Sequence, residues 1–95
     1  MDKRLREVTE LVLEEFEVHL SPEQLSERAA HNADLAQIRD VATALAHETG
    51  ALSWVPGARA FLQRCAEHRV RNAQFEKRYV LARFRLIDRF WQLPK

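Results

Sequence analysis

Residues 72–93 read NAQFEKRYVLARFRLIDRFWQL and carry the clearest helical period in the chain. With Phe75 as origin and about 100° per residue, Phe75, Tyr79, Ala82, Leu86, Phe90 and Leu93 fall within about 80° of one another, which defines a core face. Val80, Phe84, Ile87 and Trp91 form a second apolar band about 60° wide, set off from the first by Glu76 and Arg83. A helix with two apolar faces needs two surfaces to pack against. We therefore expect the second band to meet a partner chain or a second copy, with burial inside the same chain as the competing outcome. On the remaining side Arg78, Arg85 and Arg89 line up within about 40°, and Arg71 joins them if the helix starts earlier.

Working outward, the preceding residues supply four more helical segments. Asp2 caps a first helix expected to run to about His19, with Leu5, Val8, Leu11, Val12, Phe16 and Leu20 at spacings of three and four. Its other face is acidic: Glu7, Glu10, Glu14 and Glu17. Ser21-Pro22-Glu23-Gln24 is a capping box with Pro at the first helical position, so a short second helix starts there and runs to about His31, offering Leu25, Ala29 and Ala30 to a core. Asn32 caps a third helix that buries Leu35, Ile38, Val41, Ala42 and Leu45, and Gly50 ends it in the left-handed conformation. Pro56 opens a fourth, with Ala58, Phe61, Leu62, Cys65 and Ala66 inward and Trp54 closing one end of the core. A kink or short turn at Asn72 separates it from the last helix. The expected fold is all-α: residues 1–95 as a single domain, a compact bundle of four to five helices with the long C-terminal helix at its centre.

Composition agrees. With 46% hydrophobic and 31% charged residues, only two Gly and three Pro in 95, the chain has the make-up of a helical globule. No apolar run has signal-peptide or membrane-spanning length, so a soluble, cytoplasmic protein is expected, without membrane contact. A lone Cys65 permits no internal disulfide and suits a reducing compartment. The net charge of +1 hides a division. Residues 1–56 carry five Lys/Arg against eleven Asp/Glu, a net −6, and residues 57–95 carry ten against three, a net +7. Such asymmetry marks either a surface for nucleic acid or an acidic partner, or two halves that attract each other.

Chemistry-bearing patterns are sparse. Glu15 with His19 and Glu27 with His31 share helical faces, but their spacing is one residue longer than the Glu-x-x-His of carboxylate-bridged metal bundles. Cys65 and His68 lack a second pair to complete a zinc site. Arg64 and His68 invite comparison with the Arg-x4-6-His motif of the helical ribonucleases called HEPN domains; only three residues separate them here, and no catalytic role is carried over. Ser21, Ser26, Ser53 and Cys65 have no evident base and orienting acid. No Gly-rich phosphate loop is present. No catalytic residue, metal or cofactor is expected, and an enzyme is not.

What remains is the basic helix. Arg71, Arg78, Arg85 and Arg89, with Lys77 and Arg64, suit bidentate contacts to phosphate or carboxylate. The expected function is a small non-enzymatic interaction module, a subunit or regulator of a larger assembly, touching nucleic-acid backbone independently of sequence. The alternative is an adaptor or inhibitor whose basic face binds an acidic protein surface and no nucleic acid. Beside both stands an arginine row that is solvated, or paired with the acidic first helix of the same or another copy through acids such as Glu10, Glu14 or Glu17.

Overall fold

The computed structural model describes residues 3–50 and 57–90. Five helices follow one another: α1 (Lys3–Glu15), α2 (Pro22–Ala29), α3 (Ala33–Glu48), α4 (Ala58–Arg71) and α5 (Ala73–Phe90), with no strand among the described residues. The expectations at Asp2, Trp54, Pro56, Trp91 and Leu93, and for the Phe90 side chain, lie outside what the structure describes.

The helix boundaries are built by side chains the sequence displays. Ser21 Oγ accepts the Gln24 amide hydrogen bond at 3.1 Å while Gln24 Oε1 accepts from the Ser21 amide at 2.9 Å, so the capping box is complete. Asn32 Oδ1 accepts from the amides of Asp34 and Leu35. Asn72 serves two helices. Its own amide bonds to the His68 carbonyl at 3.0 Å, closing α4, and its Oδ1 accepts from the amides of Gln74 and Phe75, opening α5. Its extended backbone, φ −134° and ψ 104°, makes the turn without Gly or Pro.

Helix α1 stops at Glu15, four residues short of the expected His19. Glu17 adopts φ 58°, the Val18 amide bonds back to the Leu13 carbonyl and the Glu17 amide to that of Glu14. This is a Schellman ending with glutamate where glycine is usual. The early ending releases Phe16, whose ring meets Phe75 edge-on at 5.6 Å.

One contiguous core draws on all five helices. From α5 it takes Phe75, Tyr79, Ala82 and Leu86, the face expected from the period. The hub, however, is α3 rather than the C-terminal helix: α3 packs against α1, α2 and α4, whereas α5 packs against α4 and α1. The reason is the alanines. Ala42, Ala44 and Ala46 are buried beside Val41 and Leu45, covering most of the circumference of α3, and methyl-sized side chains let helices approach from several sides. Two inward expectations fail, since Ala30 and Ala66 are exposed, and Leu13 and Pro22 are buried in addition. The Cα radius of gyration, 12.7 Å, is what a chain of this length needs to enclose a single core.

Candidate interaction surface on the C-terminal helix

The arginine row lies along the seam between α5 and α1, because its wheel position adjoins the core face. Arg78 donates to the main-chain carbonyl of Glu15 at 2.9 Å and pairs with the Glu17 carboxylate at 3.2 Å. Arg85 spans two carboxylates, Glu15 at 2.9 Å and Glu14 at 3.0 Å. Arg89 lies 3.8 Å from Glu7. Residue numbers fall along α1 as they rise along α5, so the two helices run antiparallel. The Arg78 contact depends on the early end of α1, which leaves the Glu15 carbonyl outside the helical ladder.

The remaining basic residues divide in two. Arg64 forms a bidentate bridge to Asp40, at 3.0 and 3.3 Å, tying α4 to α3. Arg69 pairs with Glu76 and lies over the Tyr79 ring, 4.3 Å from its centroid. Its hydrogen bond holds the Glu76 carboxyl below the usual range. Arg83 reaches Glu48 at 3.4 Å. Arg71 and Lys77 are exposed and make no ion pair among the described residues. Of the six basic residues singled out from sequence, four thus already engage carboxylates of their own chain.

Of the second apolar band, the bundle partly covers two residues and leaves one open, and Trp91 lies outside the described residues. Phe84 is 64% exposed and Val80 and Ile87 are half-buried. Leu81, which the band did not include, is 41% exposed and one turn from Phe84. Lys77, Leu81, Phe84 and Asp88 fall within about 60° of each other, directly away from the core face. Asp88 is exposed and, like Lys77, makes no ion pair among the described residues. The spacing of four, three and four is present in the sequence, with charged ends about an apolar centre. On α4, Val70 is also exposed, at 88%.

A cleft of about 140 Å³ between α3 and α4 gathers Asp40, Arg64, Cys65, His68 and Arg71. Burial, reinforced by the charge of Asp40, pushes the Cys65 thiol from 9.0 up to about 12, so it remains protonated at neutral pH and is a poor nucleophile. The His68 ring stands edge-on to Phe75 at 4.8 Å and packs as an aromatic. Among the described residues, no group of three or more His, Cys, Asp or Glu is placed to hold a metal ion, and no helix is long and apolar enough to cross a membrane.

Comparison of the chain with protein families, curated proteins and solved structures finds no match.

Proposed function

We propose that the protein is a small non-enzymatic interaction module that docks to another protein chain through the outer face of α5, centred on Phe84. The observation that carries this reading is the exposure of Phe84, at 64%, beside Leu81 and flanked by Val80 and Ile87. A single exposed apolar side chain is ordinary, but adjoining ones on a rigid helix form a patch whose burial is favourable, at roughly 25 cal/mol per Å² of apolar surface. The ion pairs of Arg78, Arg85 and Arg89 weigh against phosphate as the ligand. A nucleic-acid backbone would have to displace Glu7, Glu14, Glu15 and Glu17, leaving those acids beside the phosphates. Only Arg71 and Lys77 of α5 and its approach stand ready for such contact.

The test is a photo-crosslinking amino acid placed at position 84, with position 27 on α2 as the exposed control. A discrete, nuclease-resistant protein adduct is expected from position 84 alone. Adducts that vanish on nuclease treatment would restore the phosphate reading, and equal yields from both positions would end the docking reading.

A further inference from the structure

The outer ridge of α5 is self-complementary, and the geometry points to a second copy of this chain as its occupant, paired antiparallel about a two-fold axis. This inference rests on the docking reading above and names its partner. Helix α5 carries seven charged residues. Five of them, Glu76, Arg78, Arg83, Arg85 and Arg89, make ion pairs within the chain. The two that make none among the described residues are Lys77 and Asp88, and they bracket the exposed pair Leu81 and Phe84. Lys77 and Asp88 are equidistant from the peptide between Ala82 and Arg83, and so are Leu81 and Phe84. If two copies of α5 cross antiparallel at that point, Leu81 of each meets Phe84 of the other, and Lys77 of each meets Asp88 of the other.

An isologous interface requires this relation, because each surface must complement itself under a half-turn. The alternating spacing of four and three is that of a coiled-coil seam, so the ridge stays aligned with its mate over about 16 Å of helix. In a parallel arrangement Lys77 would face Lys77 and Asp88 would face Asp88, and like charges would oppose the contact. The apolar centre is small, and the dimer is accordingly a weak, reversible one whose register is set by the two charge pairs.

Sedimentation equilibrium of the full chain and its variants tests the proposal. The parent is expected to dimerise reversibly. Phe84→Glu should abolish the dimer while leaving the helical circular dichroism and melting curve of the monomer intact, since Phe84 lies outside the core. Lys77→Asp and Asp88→Lys should each weaken dimerisation by about tenfold, each reversal converting two exposed attractions into repulsions. The double variant Lys77→Asp/Asp88→Lys should regain parental affinity, and an equimolar mixture of the two single variants should form a mixed dimer. A parent that stays monomeric at its highest soluble concentration overturns the proposal, and the crosslink at position 84 then decides the docking reading alone. A dimer abolished by Phe84→Glu but indifferent to both charge reversals overturns the antiparallel pairing and leaves docking through Phe84 standing. A dimer that survives Phe84→Glu places the self-contact elsewhere and overturns the inference.

Discussion

Tyr79 is 1% exposed, and its hydroxyl donates a hydrogen bond to the Glu48 carboxylate at 3.0 Å, joining the middle of α5 to the end of α3. With the Arg83–Glu48 pair at 3.4 Å, this bond ties α5 to the end of the hub helix. Tyr79→Phe keeps the ring under Arg69 and removes only the hydroxyl. A cost of about 1.5 to 3 kcal/mol is expected, as for a hydrogen bond to a charged partner. The pH dependence carries the sign. Burial, then the charge of Glu48, raises the phenol above its ordinary 10.0, so the unfolded chain loses this proton at a lower pH than the folded one. The stability the phenol contributes is complete below pH 10.0 and declines as pH rises beyond it. The stability gap between parent and Tyr79→Phe should therefore narrow in alkali, with the absorbance of the single tyrosine reporting its ionisation directly. A gap that stays constant from about pH 8 to 11 would show that the phenol is not shifted in the folded state.

Glu17 holds α1 to its length. With φ 58° and a side chain 70% exposed, it bears left-handed strain for the sake of the turn that delivers Phe16 to Phe75 and the Glu15 carbonyl to Arg78. Glycine carries no such strain. Glu17→Gly should be more stable than Glu17→Ala by about 1 kcal/mol, since both lose the exposed pair with Arg78 and only alanine keeps a β-carbon in the strained region. Equal denaturant midpoints for the two variants would mean that the chain leaves this turn when Glu17 is replaced.

These residues also mark how far the sequence could be read. The core face of α5, the caps at Ser21 and Asn32 and the turn at Asn72 were legible because each rests on local chemistry; that Asn72 also caps α5 through its side chain came only from the structure. The end of α1 was not, since no Gly or Pro announces it and the left-handed Glu17 answers to partners some sixty residues away, as Arg78 is. Nor was the hub. Alanine gives a weak periodic signal, and the burial of Ala42, Ala44 and Ala46 follows from helices that approach from different sides. The arginine row was visible, and so was the acidic first helix as its partner, with Glu14 and Glu17 borne out; that Glu7 and Glu15 join in place of Glu10 depended on tertiary packing. Lys77 and Asp88 could have been found by asking which charges of α5 sit opposite its core face.

The ladder itself predicts a salt-sensitive stability. Replacing Arg78, Arg85 and Arg89 together with Gln retains helix propensity and removes the charges facing Glu7, Glu14, Glu15 and Glu17. Exposed pairs are worth roughly 0.2 to 1 kcal/mol each, so a combined loss of about 1 to 2 kcal/mol is expected at low ionic strength. For a domain of this size that lowers the melting temperature by about 4 to 8 °C per kcal/mol. In molar salt, where screening shortens the range of charge interactions to about 3 Å, the difference should largely close. An unchanged melting curve at low salt would mean that the ladder contributes nothing to the fold, and the row would again be open to phosphate or to an acidic partner.

Cys65 offers a probe of the seam between α3 and α4. It is 4% exposed, and burial pushes its thiol up to about 12. The thiolate is the form that attacks a disulfide reagent, so the upward shift makes the folded protein slower to react than the unfolded chain at mildly alkaline pH. Closure of α4 over the sulfur adds to that protection. Modification should then proceed through opening of α4, and its rate should follow the opening free energy. Arg64→Gln removes the bidentate bridge to Asp40 and should speed labelling severalfold, consistent with about 0.2 to 1 kcal/mol for an exposed pair, while leaving the unfolded rate unchanged. A native rate within tenfold of the unfolded rate would place the thiol at the surface and refute the packing of α4 on α3 described for this residue.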